Sequence, residues 1–380
     1  MRASRKSPKA SLGFPELHRA VCFGEAGGKI IWQPRIQCWY SDRKFAGRPL
    51  PAPYEGMTIP QIHRALGCSA RCYWFNPSFK PVEHPAVLRV SRELNSTDVE
   101  TVIETPVGRQ VIVERNTDSS ARRIHLKWQI ATPDELKVAT WRVENTSWAW
   151  DQAAFDKAFA EWGDLGAPTV FMPRVNVQDL YINTMGTQNA IYALYDWTDL
   201  VEAYFRALDE SHDRLMDVIL KSPIEVINFG DNLHCGTLPP KLFTKYVLPA
   251  YQRRCEKLHR GRKFLHAHWD GDTQSLLPFA KETGLDGIEA ITPKPQGDVT
   301  LEEVKDALGD KMFLIDGIPA VYFDETFPVS VLEDCARRCI ELFAPKLILG
   351  ISDEISSTGD IERIRVVGRI VDEYNASRGT

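Results

Sequence analysis

Long hydrophobic runs are missing from this sequence. A membrane-spanning helix needs about 18 or more consecutive apolar residues, and no such run occurs in the 380 residues. The start of the chain is basic (Arg2, Arg5, Lys6, Lys9), but no apolar core follows, as a secretory signal would require. We therefore expect a cytoplasmic protein without membrane contact, whose first residues form a short disordered tail.

An excess of positive charge is also missing. The chain has 46 Lys and Arg against 51 Asp and Glu, a formal net charge of −5. Nucleic acids are bound through basic surfaces, so they are not expected as partners. No Walker motif and no Gly-x-Gly-x-x-Gly fingerprint occurs, and Gly24 to Gly28 reads as a loop.

Cysteine pairs at CxxC spacing are absent, although the chain has eight cysteines. A chain that is 43% hydrophobic at this length can bury a large core without cross-links. We therefore expect reduced, mostly buried thiols, as is usual in the cytoplasm.

Short apolar runs alternate with runs of helical length in the second half of the chain. Five strands are predicted, at 224–229, 263–268, 286–291, 312–315 and 346–350. The helices predicted after them cover 239–258, 273–282, 300–309, 330–343 and 361–374. Such alternation predicts parallel strand pairing.

Segments earlier in the chain continue this alternation of strands and helices. Further strands are predicted at 29–36 and 168–172, and a helix at 197–220. The alternation of strands and helices alone does not distinguish a closed barrel from an open sheet, but seven or eight strand–helix units favour a closed barrel. The predicted fold class is α/β: a single (β/α)8 TIM barrel at 29–380, after a tail and N-terminal helix at 1–28.

The segment 86–143 breaks the rhythm. Thr, Val and Ile alternate with period two on both sides of Thr105-Pro106-Val107-Gly108, which is typical of a turn. We predict a β-rich insertion with an antiparallel hairpin outside the barrel wall, followed by a short helix from Pro133.

Polar residues follow each predicted strand, where barrel active sites form. The densest cluster is His266-Ala267-His268-Trp269-Asp270-Gly271-Asp272. Residues two apart on a strand share a face, so His266, His268 and Asp270 could hold a divalent metal or act as general acid and base. The alternative is a hydrogen-bonded polar layer without chemistry. Aromatic residues near the start, Trp32, Trp39, Tyr40, Trp74 and Phe75, are equally compatible with a ligand pocket or with core packing.

Several of these motifs together resemble a known family. INFGDN, LPPKLFTKYVLPAYQ, HWDGD and TGLDGIEAITPKPQGD, within residues 150–375, are similar to the uroporphyrinogen-decarboxylase superfamily. Its members include the haem-pathway decarboxylase and cobalamin-dependent methyltransferases, both (β/α)8 barrels. The decarboxylase has an arginine-rich loop after its first strand, where this chain has only Arg35.

The methyltransferase branch of that family implies a zinc site. Its H-x-C-G motif corresponds to His268-Trp269-Asp270-Gly271, and its later cysteine falls at Asp353 or the adjacent Glu354. Carboxylates thus replace both thiolates, as in the H-x-D-G subgroup, which resembles enzymes that demethylate methoxylated aromatics. The resemblance implies zinc held by His268, Asp270 and Asp353, a site suited to an oxygen-bound methyl group. Glu289 is the fourth predicted ligand, because it too belongs to the layer of polar residues at the strand ends.

The first hypothesis is therefore a corrinoid-dependent methyltransferase of the O-demethylase type. It would move a methyl group from a small methoxylated compound to cobalamin on a partner corrinoid protein. His268, Asp270 and Glu289 are the predicted catalytic residues; a homodimer is left open. The predicted substrate-binding residues are Trp32, Arg35, Trp39, Tyr40, Asn228, Asp231, Asn232, His234 and His266. The alternatives are a decarboxylase-like lyase acting on a polyanion and a non-catalytic binding barrel.

Overall fold

The structure, a computed structural model, describes residues 12–118 and 123–378. The basic tail predicted at the start of the chain, residues 1–11, lies outside these ranges. In chain order the strands are β1 (Ile31–Trp32), β2 (Phe79–Val82), β3 (Leu88–Glu93), β4 (Asp98–Thr105), β5 (Gly108–Arg115), β6 (Ile124–Lys127), β7 (Ser147–Trp150), β8 (Thr169–Met172), β9 (Val226–Phe229), β10 (Phe264–His268), β11 (Gly287–Glu289), β12 (Phe313–Pro319) and β13 (Leu347–Ser352).

The α-helices are spread along the whole chain. They are α1 (Phe14–Cys22), α2 (Gln37–Phe45), α3 (Ile59–Leu66), α4 (Pro133–Glu144), α5 (Gln152–Trp162), α6 (Asn176–Asp179), α7 (Thr187–Asp196), α8 (Thr198–Lys221), α9 (Pro240–Leu242), α10 (Leu248–His259), α11 (Leu301–Leu308), α12 (Val329–Phe343) and α13 (Arg363–Ala376). None of the helices in the described ranges combines the length and the apolarity needed to cross a membrane.

Seven strands form one curled parallel sheet, in the order β1, β13, β12, β11, β10, β9, β8. The five strands predicted in the second half are thus parallel and consecutive, as expected for a TIM-like α/β fold. Strands β9 to β13 are buried along their whole length, because helices cover the outside while side chains fill the interior.

A short segment fills the gap between the two edge strands of this sheet. On the β8 side, Thr169 N donates to Cys72 O at 3.0 Å and Ala70 N donates to Leu165 O at 2.8 Å. On the β1 side, Gln33 Nε2 donates to Ser69 Oγ at 3.1 Å. Residues 69–72 therefore occupy the second strand position of the barrel. Their strand pairing is limited to one isolated bridge, between Cys72 and Pro168.

Two predicted elements are much shorter than expected, each for a local reason. The strand predicted at 29–36 is reduced to β1, since Pro34 has no N–H to give to a ladder. The helix predicted at 273–282 is only a 3₁₀ turn at Leu277–Glu282. Its first residues instead give their N–H groups to Asp298, with Thr273 N at 2.9 Å from Oδ1.

The insertion forms as predicted. Strands β3 to β6 make a four-stranded antiparallel sheet apart from the barrel sheet, and the β4–β5 hairpin turns between Thr105 and Gly108. Ile103 and Gln110 are fully buried, and Gln110 Nε2 donates to Glu135 O of α4 at 2.9 Å. The pair β2–β7 connects this region to the barrel. All eight cysteines are free, in agreement with the expectation of reduced thiols.

Candidate active site

Glu289, the last residue of β11, is the centre of a buried polar cluster at the carboxyl ends of the strands. Its side chain is inaccessible to solvent. Oε2 accepts hydrogen bonds from Tyr73 Oη at 2.6 Å and from Asn228 Nδ2, and His266 Nδ1 lies 3.0 Å away. The parallel register brings these side chains together, because His268 is directly beside Glu289 and Asn228 is directly beside His266 on neighbouring strands.

The second oxygen of Glu289 faces cations. Oε1 accepts from Arg71 Nη1 at 2.8 Å, and His268 Nδ1 is at 3.3 Å. Arg71 continues to the buried Asp316 of β12, donating from Nη1 to Oδ2 at 3.1 Å and from Nη2 to Oδ1. Burial raises the pKa of Asp316 to about 6, against the opposing charge of Arg71. Burial likewise disfavours the charged form of Glu289, but Arg71 and the two histidines outweigh it and hold the pKa of Glu289 well below its usual range.

His268 lies between this interior cluster and the open mouth. Nδ1 faces Glu289, while Nε2 is 3.8 Å from Asp270 Oδ2 and 3.8 Å from Asp353 Oδ1. Burial alone would lower the pKa of His268, but its contacts with Asp270 and Glu289, together with the charge of Asp353, raise it to about 10. His268 is therefore an imidazolium at neutral pH. Burial lowers the pKa of its neighbour His266 instead.

Arg35 closes the cluster from the β1 side. Nη1 pairs with Asp353 Oδ1 and lies 3.6 Å from Glu289 Oε1, and Nη2 donates to Glu354 Oε1 at 2.8 Å. Glu354 Oε2 accepts from Cys38 N at 2.6 Å. Both carboxylates that follow β13 are thus engaged by Arg35, and Glu354 has hydrogen bonds on both oxygens.

Asn232 links the mouth to the loop after β8. Its backbone is left-handed, with φ at 54°, which asparagine tolerates better than most residues. Nδ2 donates to Asp270 Oδ2 at 3.1 Å, and Oδ1 accepts from Arg174 Nη2 at 2.6 Å.

A cavity of about 610 Å³ opens above these side chains. Its polar wall contains Arg35, Arg174, Asn183, Asn232, His268, Asp353 and Glu354, and its apolar wall contains Phe79, Trp148, Phe171, Met172, Pro173, Leu215 and Ile219. Phe79 and Trp148 belong to β2 and β7, so the region next to the insertion supplies part of the wall. A small molecule with an apolar body and polar ends fits such a site.

The structure does not bring every predicted binding residue to the cavity. Trp32 is a core residue, donating from Nε1 to Ile364 O at 3.1 Å and stacking on Phe323. Trp39 is fully buried in the same core, and Tyr40 packs against it. The structure thus places these three aromatics in the core, and none of them lines the cavity.

Two predicted polar residues also lie elsewhere. Asp231 is fully buried and holds the backbone of the loop after β8, accepting from Val175 N at 2.7 Å and from Tyr251 Oη at 2.7 Å. Its role in this structure is positional. His234 is half exposed at the rim, 4.0 Å from Asp272, and does not reach the cluster.

The four predicted zinc ligands do not surround one point. Glu289 faces Nδ1 of His268 with both oxygens already hydrogen-bonded, whereas Asp270 and Asp353 face Nε2. Asp353 is in addition paired with the Arg35 guanidinium, a cation that would repel a metal. Within residues 12–118 and 123–378, no group of three or more His, Cys, Asp or Glu side chains is arranged to hold a metal ion. These side chains thus do not fit zinc in the predicted way, and zinc stays a prediction.

Sequence reasoning missed several members of the site. Arg71 lies within the single-bridge segment at 69–72 and Tyr73 follows it directly, and this segment lacks the apolar run that marks the other strands. Arg174 follows the predicted strand at 168–172, so its position after a strand end was the available signal. Asp316 follows a predicted strand too, and only its burial against Arg71 shows that it belongs to the interior cluster.

One protein family and several solved structures are similar to this chain. The family model described as Uroporphyrinogen decarboxylase (URO-D) matches residues 180–374. By sequence, no curated relative matches the chain. Among solved structures, a methyltransferase from Methanosarcina mazei is similar with a TM-score of 0.57 at 13% identity, covering 93% of this chain and 97% of that one. A putative vitamin-B12 independent methionine synthase from Listeria monocytogenes has a TM-score of 0.41 at 11% identity, covering 91% and 96%.

Proposed function

Because this chain belongs to the uroporphyrinogen decarboxylase family, we propose that it is a methyltransferase that removes a methyl group from the oxygen of a small methoxylated compound. The acceptor would be the corrinoid of a partner protein. The fold similarity to the Methanosarcina mazei methyltransferase supports this choice within the family. A decarboxylase-like lyase is less well supported, because Arg35 and Arg71 are already paired with carboxylates and could not both grip a polyanion.

The observation that carries the proposal is the setting of His268. The imidazole lines the cavity with Nε2 on its mouth side, while Nδ1 is fixed by the fully buried Glu289. A histidine held through one nitrogen by a carboxylate has its ring orientation and proton placement determined by that partner. Such a group is placed to give a proton to an oxygen atom bound above it.

The chemical step needs this proton. The bond between the methyl carbon and the ether oxygen breaks, and its electron pair stays on the oxygen. Nε2 of His268 gives that oxygen its proton, so the product leaves as a neutral hydroxyl compound, and His268 is protonated again from solvent. The corrinoid would supply the nucleophile that accepts the methyl group.

The acidity of His268 fits an aryl ether better than an alkyl ether. A phenol has a pKa of about 10, as the side chain of tyrosine shows, and the pKa of His268 is also raised to about 10. Proton transfer to a leaving phenolate is therefore nearly balanced in energy. Asp270 and Asp353 keep the imidazolium charged between turnovers, and Arg35 holds Asp353 in place.

The test is methyl transfer from anisole-type ethers to free cob(I)alamin, followed by the absorbance change of the corrinoid. We expect wild-type protein to be active and His268→Gln to lose at least about 100-fold in rate, the range typical of general acid catalysis. His259→Gln is the matched control, because His259 also pairs with a carboxylate, Asp286 at 3.0 Å, but away from the mouth.

The same assay tests zinc. The proton-transfer route predicts that protein treated with a chelator keeps its rate. If chelation abolishes methyl transfer and added zinc restores it, zinc is required for the reaction, and the role given to His268 as proton donor is contradicted. No transfer from any ether by the wild type would refute the proposed function.

A further inference from the structure

Two arginines line the cavity, and Arg174, unlike Arg35, has no carboxylate partner among the described residues. It follows β8 and contacts two neutral amides, Asn232 Oδ1 at 2.6 Å and Asn183 Oδ1 at 3.4 Å. Its Nε is buried without a hydrogen-bond acceptor. Across the described ranges 12–118 and 123–378, no Asp or Glu oxygen lies within 4.0 Å of its nitrogens.

Arg35 and Arg174 differ in how their positive charges are balanced. Arg35 meets Asp353 and Glu354, whereas the charge of Arg174 is left uncompensated at a half-buried position. Burial raises the pKa of Asp179 and the charge of Arg174 opposes that rise, but the oxygens of Asp179 accept from Tyr204 Oη at 2.6 Å and Asn183 Nδ2 at 2.9 Å rather than from Arg174. A partly desolvated cation without a partner is costly, and an arriving anion would relieve that cost.

Arg174 is also close to the reacting end of the cavity. Asn232 accepts from Arg174 and donates to Asp270, and Asp270 lies beside Nε2 of His268. Two side chains therefore separate the uncompensated cation from the proton donor. A single small ring could span this interval with an anionic group at one end and an ether at the other.

The wall along this path is apolar and aromatic. Phe171 stacks on Tyr73 with ring centroids 3.8 Å apart, and Phe171, Met172 and Trp148 all line the cavity. Aromatic side chains and flat ring ligands attract each other by stacking and by burial of apolar area. The cavity of about 610 Å³ leaves room for one substituted benzene ring and for the approach of an acceptor.

We infer that the methyl donor is a methoxylated aromatic carboxylate and that Arg174 binds its carboxylate. This inference rests on the proposed function for the role of the ether, but the carboxylate site itself needs no turnover. Arg174 acts as a binding and specificity residue that orients the ring so that the ether oxygen lies near His268. The planar guanidinium suits a two-oxygen anion, which a lysine would hold less well.

The test is calorimetric titration of the full chain, without any corrinoid, using para-methoxybenzoate and its neutral analogue para-methoxybenzamide. We expect wild-type protein to prefer the acid, and Arg174→Gln to weaken binding of the acid by about 10- to 100-fold, the value of a charged hydrogen bond. Binding of the amide should change little. The affinity of Arg174→Lys for the acid should lie between those of the wild type and Arg174→Gln. Arg260→Gln, which changes an exposed arginine just after α10, should bind the acid as the wild type does.

The outcomes separate this inference from the proposed function. Equal loss of acid and amide binding in Arg174→Gln, or no preference of the wild type for the acid, would overturn the carboxylate site. If both ethers are demethylated and the variant leaves the KM for the acid unchanged, the function stands and the inference fails. If the acid binds through Arg174 but no methyl group is ever transferred, the binding site stands and the proposed function fails.

Discussion

At the scale of single residues, Glu289 is one of the carboxylates that raise the pKa of His268. It is fully buried and contacts two histidines and Arg71. Sequence reasoning could select Glu289 and His268, since His268 ends a predicted strand and Glu289 is the polar residue in the second half of the next one. It could not find Arg71, because the position of that residue depends on the one-bridge segment. Whether Trp32 packs inward or outward also depends on tertiary contacts that periodicity does not contain.

Replacing Glu289 by glutamine should destabilise the protein and make His268 less basic. Removing one partner of a buried ion pair costs about 3–5 kcal/mol, measured as the free energy of unfolding in urea. The rate of methyl transfer in the wild type should fall as pH rises through about 10, because the active imidazolium then loses its proton. In Glu289→Gln this fall should begin at lower pH, since one of the three carboxylates that raise the pKa of His268 is gone while Asp270 and Asp353 remain.

The control is Glu256→Gln, which breaks an exposed pair with Arg260. Such pairs contribute at most about 1 kcal/mol, so both the stability and the pH profile should stay close to wild type. An unchanged alkaline limb in Glu289→Gln would mean that Glu289 does not set the basicity of His268.

At the scale of elements, local signals in the sequence account for helix ends better than for short strands. The capping box before α11 is present as predicted: Glu303 N donates to Thr300 Oγ1 at 3.1 Å, and Thr300 N donates to Glu303 Oε2 at 2.7 Å. By contrast, β1 has only two residues and the segment at 69–72 has one bridge. Barrel closure supplies these strands with partners, so they need little local propensity of their own.

Thr300→Ala should lower the free energy of unfolding by about 1 kcal/mol, because the N–H of Glu303 loses its side-chain acceptor at the start of α11. Thr300→Ser keeps the hydroxyl group and should restore most of the loss. Urea denaturation of the three proteins measures this, with methyl transfer unchanged because α11 is outside the cavity. Equal stability of the alanine and serine variants would contradict the capping role.

At the scale of the whole molecule, the two ends of the chain close the barrel. Strand β1 pairs with β13, and the side chain of Asn375 in α13 binds both backbone groups of Ile30. Ile30 N donates to Oδ1 at 2.9 Å, and Nδ2 donates to Ile30 O at 2.9 Å. The α/β barrel architecture was predictable from the number of strand–helix units, whereas the two hydrogen bonds between Asn375 and Ile30 were not.

Asn375→Ala should remove both hydrogen bonds and cost about 1–3 kcal/mol, since a net hydrogen bond contributes about 1 kcal/mol and Ile30 is buried. Asn375→Asp keeps the acceptor for Ile30 N but sets an oxygen against Ile30 O, so it should recover only part of the loss. The urea midpoint measures both. If the alanine variant unfolds at the same urea midpoint as the wild type, the two Asn375 hydrogen bonds do not stabilise the barrel.

The pairing of Arg35 with Asp353 also has a consequence during synthesis on the ribosome. These residues are 318 positions apart, so at about 5–20 residues per second Arg35 waits roughly 15 to 60 s for its partner. During that time the nascent first strand has neither β13 beside it nor an anion for its guanidinium. The mouth can therefore be completed only after residue 354 has been synthesised, and chaperones that shield nascent chains would act on the first strand until then.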